Sequence, residues 1–201
     1  VGEVPGYELV SLALTTHEDA GDAGDEGDAA GSCLLLVEKL LLFGDSLGEE
    51  WATGVAASVA VAMAASTVSS NMYLQVMCTN VLICFASTEG VVSSMVAGGV
   101  LTSTIRNLES MGASGKGGGA AFESVESASS SGGAHRPPSN KRESAELVAS
   151  SLYLIASICT VEEHVPTAKA AGCIHGVLAG FTRFPDNVIV YTYFREVIRV
   201  L

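Results

Sequence analysis

What limits the fold of this chain most is a recurring corner motif, in which Ala and Gly precede a small residue and then an aliphatic run. It occurs in "MVAGGVLTSTI", which begins at Met95, and in "KAAGCIHGVLA", which begins at Lys169. Glycine inside a helix costs about 1 kcal/mol relative to alanine, and a helical chain accepts it where it must bend or where another backbone comes close. We therefore predict structural turns at the three glycines that fit the motif: Gly31, Gly98 and Gly172.

The apolar runs on either side of these corners are typical of helices. Segments 49–67 and 71–88 consist largely of apolar residues, and Asn71 is a candidate N-cap of the second. The tail 188–201 is rich in β-branched and aromatic residues, so we predict a helix there, with a strand as the alternative. Together the runs predict an all-α fold. Further helices are predicted over 5–17, 32–48, 89–110, 143–160 and 164–184.

Two low-complexity segments interrupt the helical pattern. Residues 18–31 repeat Gly and Asp with a period of about three, which predicts a solvated acidic loop. Residues 111–142 are rich in Gly and Ser and are far longer than a usual connection between helices, which predicts a disordered linker. We therefore expect the first helical repeats over 1–110, and the last repeat with the start of another over 143–201.

The net charge of −12 is concentrated in the first half of the chain. Residues 1–105 carry 13 acidic side chains and one basic side chain, Lys39, whereas the remainder carries nine of each. An acidic surface repels nucleic-acid phosphates and anionic lipids, so we expect neither a nucleic acid nor a membrane as the partner.

The cysteines indicate the redox environment of the protein. There are five, an odd number, with no CxxC motif, and each lies inside an apolar run. This pattern predicts buried, reduced thiols in a cytoplasmic or nuclear protein. The five are Cys33, Cys78, Cys84, Cys159 and Cys173.

Motifs for catalysis and metal binding are missing from the sequence. The four histidines are scattered, and His175 is too close to Cys173 for the usual spacing of zinc ligands. Residues 18–31 lack the closing Glu of a calcium loop, and "GASGKGGG" at 112–119 lacks the spacing of a P-loop. No cluster of polar residues supports an enzyme domain. We expect no enzymatic activity, no cofactor and no metal.

The corner motif and the apolar pattern before it resemble the armadillo repeat. In that family a short first helix meets a second helix at a glycine, and a longer third helix packs across both. The resemblance covers residues 71–201 and, in weaker form, residues 30–70. The matching second-helix positions are Gly98, Val100, Leu101, Gly172, Ile174, Val177 and Leu178, and the matching third-helix positions are Leu82, Phe85, Ala86, Ile155, Ile158 and Cys159.

The spacing of the corners fits this resemblance. Without most of the linker 111–142, the separation between Gly98 and Gly172 falls to a little over 40 positions, near the armadillo period. The separation between Gly31 and Gly98 exceeds that period by about one helix, so either 49–67 is an inserted helix or the first repeat is irregular. The resemblance implies an armadillo- or HEAT-like α-solenoid of about three irregular repeats, in which stacked helices bury their apolar faces.

By the same resemblance the protein is a scaffold for protein–protein interaction. Stacked third helices line a concave surface that suits a protein or peptide partner. Members that act in nuclear import carry ladders of Trp and Asn on this surface, and the matching positions here, about Cys84 and Ser157, lack them. The candidate partner contacts are Asn80, Tyr153, Tyr191 and Arg195.

Two other architectures are compatible with the composition. An irregular helical bundle would contain similar Ala-Gly pairs. A membrane-embedded or membrane-associated helical protein is the functional alternative, since the mean hydropathy is +0.41 and segments 51–67 and 72–87 are apolar. Both segments are at or below the ~18–20 residues of a membrane span and lack basic flanks.

Because the chain starts with Val and its last apolar run has no stop signal, we expect it to be part of a longer protein.

Overall fold

The computed structural model describes Val37 and residues 48–64, 71–113 and 140–201. Regular structure in these ranges is entirely helical and contains no strand, so the all-α prediction is confirmed for this part of the chain. A short 3-10 turn, Glu162–His164, precedes the sixth helix. The helices are α1 (Glu49–Ala64), α2 (Met72–Phe85), α3 (Glu89–Ala97), α4 (Val100–Ala113), α5 (Asn140–Cys159), α6 (Val165–Ala170), α7 (Cys173–Arg183) and α8 (Val188–Val200).

Several predicted segments lie outside the described residues. These are 5–17, the acidic loop 18–31 with Gly31, and residues 32–47 apart from Val37. Helix α4 extends to Ala113 and α5 begins at Asn140, so helical structure reaches three residues into each end of the predicted linker.

Two helices begin at an Asn whose side chain caps the first turn. Asn71 Oδ1 accepts a hydrogen bond of 3.2 Å from the backbone N–H of Leu74, which confirms the predicted cap of α2. Asn187 Oδ1 accepts bonds of 3.0 and 3.1 Å from the N–H groups of Ile189 and Val190 at the start of α8. The tail is therefore a helix, and the strand alternative is wrong.

The corners between α3 and α4 and between α6 and α7 depend on the backbone freedom of glycine. Gly98 caps α3 with φ −72°, and the left-handed conformation lies at the next residue, Gly99, with φ +82°. Gly172 has φ +85° and immediately precedes α7. A Cβ atom on Gly99 or Gly172 would meet nothing within 4 Å. Gly99 and Gly172 are therefore needed for the left-handed conformation and not for close helix contact. At Gly98 a Cβ atom would lie 3.4 Å from Ala60 Cβ on α1.

Close helix contact occurs instead where α7 packs against α4. A Cβ atom on Gly176 would lie 2.9 Å from Ile105 Cγ2 and 3.2 Å from the Ile105 carbonyl oxygen. A Cβ atom on Gly180 would lie 2.8 Å from Leu108 Cδ2 and 3.3 Å from Val148 Cγ1. Residues four apart share one helix face, so the two glycines let the backbone of α7 approach α4 closely along that face.

Helix α5 packs against both α2 and α8. The Ser144 hydroxyl donates a 3.3 Å hydrogen bond to the Met72 sulfur, and the Ser150 hydroxyl donates one of 3.1 Å to Asn80 Oδ1. Residue numbers rise together in these pairs, so α2 and α5 run parallel. At the contact between α5 and α8, the ring of Tyr153 lies against the ring of Tyr193.

One apolar core connects the described helices. It rests mainly on aliphatic side chains, as the low aromatic content of the sequence requires. A stacked ring pair, Phe181 and Phe194 with centroids 4.2 Å apart, joins α7 to α8. Helix α5 contributes several side chains with no exposed area: Val148, Leu152, Leu154, Ile155 and Ile158.

Candidate functional site

A surface groove of about 1090 Å³ lies along α5. Helix α2 forms one wall with Asn80, Ile83 and Cys84, and the opposite wall consists of the α7–α8 connection and the first two turns of α8. The floor is the part of α5 that begins at Arg142 and ends at Tyr153. Contacts of α5 with α2 and α8 thus create the groove, because its walls are the helices that α5 packs against.

Asn80 is fixed at the boundary between α2 and α5. Its side chain is half-buried, and its Oδ1 accepts the hydrogen bond from Ser150. A primary amide has two further donors on Nδ2. The bond from Ser150 therefore orients the Asn80 amide and leaves its nitrogen able to donate to a carbonyl group in the groove.

Two tyrosines form an aromatic surface in the groove. The ring centroids of Tyr153 and Tyr193 are 4.8 Å apart and the planes are inclined by 36°. Tyr153 is 41% exposed, although it follows a fully buried residue on α5. Aromatic rings bury a large apolar area and carry a polar hydroxyl at the edge, so this pair suits an apolar or aromatic side chain of a ligand.

Charges of both signs lie along the same groove. Arg142 and Glu146 line it from α5, and Arg183 and Asp186 line it from the end of α7 and the connection to α8. Within the described ranges none of these four side chains forms a salt bridge. Both signs are therefore available to a ligand that lies along the groove.

Only two of the four predicted partner contacts line this groove. Asn80 and Tyr153 do, whereas Tyr191 and Arg195 lie on another face of α8, where the guanidinium carbon of Arg195 is 6.0 Å from the centroid of the Tyr191 ring. Sequence reasoning missed Tyr193. A signal for it exists: Tyr193 lies four residues after Ile189, so the two share a face of α8, and both line the groove.

Three of the predicted buried thiols are buried, and one is not. Burial raises the pKa of the Cys78 thiol to about 12 and that of Cys173 to about 12, the second with a further contribution from Cys159. Burial also raises the pKa of Cys159 to about 11, partly offset by the Lys169 charge. Cys84 is exposed at the groove, so the prediction of burial was wrong for it, and Cys33 lies outside the described residues.

The exposure of Cys84 predicts selective thiol reactivity. Thiolates are the reactive species, and buried thiols with raised pKa values stay protonated at neutral pH. We expect Cys84→Ser to remove one rapidly reacting equivalent when native protein is titrated with a disulfide reagent. Cys78→Ser is the matched control and should leave the number of rapid equivalents unchanged. Equal loss in the two variants would contradict the structure.

Metal-binding groups do not converge in the described part of the chain. No set of three or more His, Cys, Asp and Glu side chains there could hold a metal ion. His164 is buried, with its Nε2 3.4 Å from the Ser93 hydroxyl and 3.5 Å from Glu163 Oε1. His175 is exposed, whereas His17 and His135 lie outside the described residues.

The described helices also bear on the membrane alternative. None of them alone is long and apolar enough to cross a membrane. Arg142–Cys159 and Glu162–Ala170 would suffice as a pair by length and composition, and they are bent by 112° at their break.

The described chain is thus an all-helical protein whose α2, α5 and α8 border one surface groove. Comparison of the sequence and structure with protein-family models, curated proteins and solved structures finds no match.

Proposed function

We propose that this protein is a scaffold of armadillo-like helical repeats whose groove along α5 binds an extended segment of a protein partner. The observation that carries the proposal is the groove itself, in which an amide, an aromatic pair and charges of both signs face the solvent between three adjacent helices. In this proposal α2, α5 and α8 are the third helices of successive repeats. The protein acts by binding and not by catalysis.

A constant sequence separation between contacting residues supports the repeat arrangement. Five contacts that join α2 to α5, α3 to the 3-10 turn, and α4 to α7 connect residues 70 to 72 positions apart. Stacked copies of one unit have this property, because each helix then contacts its own counterpart. The pairs are Met72 with Ser144, Asn80 with Ser150, Ser93 with His164, Ile105 with Gly176, and Leu108 with Gly180.

The next contact along the chain has a shorter separation. Tyr153 on α5 contacts Tyr193 on α8, and this separation is close to the period of armadillo and HEAT repeats, which is about 40 residues. The separation of 70 to 72 residues is longer than that between Tyr153 and Tyr193, and the difference matches the length of the Gly/Ser-rich segment 111–142. A repeat of about 40 residues with this segment inserted between its second and third helices accounts for both separations.

The chemistry of the groove favours an extended peptide as the ligand. The Asn80 amide suits a hydrogen bond to the main chain of the peptide, which is independent of peptide sequence. The tyrosine pair suits one apolar or aromatic side chain, and interface energy concentrates at such aromatic anchors. Arg142, Glu146, Arg183 and Asp186 would then select charged side chains that flank the anchor.

A peptide selection tests this function. We expect short peptides selected from a random library on the full chain to bind it in solution, and Tyr153→Ala to weaken binding about tenfold or more. Tyr73→Ala is the matched control, since Tyr73 is an exposed tyrosine on α2 that does not line the groove. Binding is measured by fluorescence anisotropy with a labelled peptide.

Two outcomes contradict the proposed function. One is equal affinity of Tyr153→Ala and the unmodified chain for every selected peptide, and the other is equal weakening by the two tyrosine substitutions.

The membrane alternative is distinguished in the same preparation, because a membrane-embedded protein would require detergent to stay in solution.

A further inference from the structure

An apolar stripe of exposed aliphatic side chains runs along α7. Ile174 and Leu178 lie four residues apart on this stripe and are 49% and 45% exposed. Phe181 continues it and contacts Tyr191 of α8, with ring centroids 6.3 Å apart. Tyr191 and Ile198 are both exposed and lie seven residues apart on α8. We call this surface the end face and define it by Ile174, Leu178, Tyr191 and Ile198.

The corresponding residues of α4 are buried by another helix. Gly99 and Gly172 are the left-handed residues that precede α4 and α7, and aligning them places Leu101 opposite Ile174 and Ile105 opposite Leu178. Leu101 and Ile105 are only 2% and 3% exposed. Helix α7 covers α4, with Gly176 in contact with Ile105. The same positions are therefore buried in α4, where α7 covers Ile105, and exposed in α7.

We propose that the end face docks a further helical unit built like α7 and α8, whose first helix carries small residues four positions apart. The requirement for small residues follows from the α4–α7 contact, in which Gly176 and Gly180 allow close approach to Ile105 and Leu108. The new unit stacks on α7 as α7 stacks on α4, and its second helix covers Tyr191 and Ile198. The inference rests on the proposed repeat arrangement and is independent of peptide binding in the groove.

Duplication of the last unit tests the docking. A second copy of residues 161–201 is joined directly after Leu201 of the full chain. We expect the extended chain to unfold in one transition with a midpoint several degrees above that of the original, since each added interface stabilises its neighbours. Ile174→Glu with Leu178→Glu in the first copy should abolish the increase. Thr102→Glu with Arg106→Glu, two exposed residues four apart on α4, is the matched control and should retain it.

A labelling experiment measures coverage of the end face directly. Leu178→Cys is introduced into the first copy in a Cys84→Ser background, and its reaction with a maleimide is followed. We expect the reaction to be about tenfold or more slower in the extended chain than in the original, because the added unit buries this position. The rate is measured without peptide, so failure here leaves the groove function intact, and loss of peptide binding leaves this result intact.

Three results would overturn the inference. They are an unchanged unfolding midpoint in the extended chain, unchanged labelling of Leu178→Cys, and self-association of the original chain that Leu178→Glu reverses. The last result would mean that a second copy of the same chain covers the end face in place of a further unit. Sedimentation of the original chain and of Leu178→Glu distinguishes this case.

Discussion

Gly176→Val is expected to lower the free energy of unfolding by about 3 kcal/mol. A Cβ atom at this position would already lie 3.2 Å from the carbonyl oxygen of Ile105, and a backbone atom cannot rotate away as a side chain can. The two methyl groups of Val would add contacts with Ile105 Cγ2, which is 2.9 Å from the same Cβ position. Helices α4 and α7 would have to separate, and equilibrium unfolding in denaturant measures the cost.

His175→Val is the matched control for Gly176→Val. His175 is the preceding residue of α7 and is exposed, so the same β-branched side chain there changes helix propensity without a clash. We expect a loss of less than about 0.5 kcal/mol for this variant. Similar losses in the two variants would show that helix propensity, and not close packing against α4, sets the requirement for glycine.

Much of the helical architecture could be predicted from sequence because its signals are local. The Asn71 cap depends on a side chain and a backbone group three residues apart, and such a pair can be read from sequence alone. The turn predicted at Gly98 is present and includes Gly99, but only the backbone angles show that the left-handed residue of the two is Gly99. The small-residue contact of Gly176 was not predicted, because its partner Ile105 is distant in sequence and lies on a different helix.

The candidate groove was predicted only in part, for a related physical reason. A helix presents different residues to different neighbours, and sequence alone does not show which neighbour each face meets. Tyr191 and Tyr193 are two residues apart on α8, and the structure places only Tyr193 in the groove. The same uncertainty explains Cys84, which lies in an apolar run of α2 and is nevertheless exposed. Whether such a residue is exposed depends on how the neighbouring helices pack against it, and that packing is a property of the whole fold.

Leu152→Ala is expected to lower the free energy of unfolding by about 2–5 kcal/mol. Leu152 has no exposed area and lies in the apolar core on α5, the helix that packs against both α2 and α8. Truncation removes buried methyl groups and leaves a cavity that neighbouring helices fill only partly. Leu178→Ala is the control, because Leu178 is exposed on α7 and its truncation should cost less than about 0.5 kcal/mol. Both values come from equilibrium unfolding in denaturant.

Leu152→Ala also separates stability from binding in the groove. Leu152 and the groove residue Tyr153 are adjacent in sequence, but they lie on different faces of α5, one in the core and one in the groove. At a temperature where both proteins are fully folded, we expect Leu152→Ala to bind a selected peptide with an affinity within about twofold of the original, whereas Tyr153→Ala loses about tenfold. A large loss of affinity in folded Leu152→Ala would mean that the groove changes shape with the core. The two faces of α5 would then be coupled, and a bound peptide would stabilise the original chain more than Leu152→Ala, because the original chain binds it more tightly.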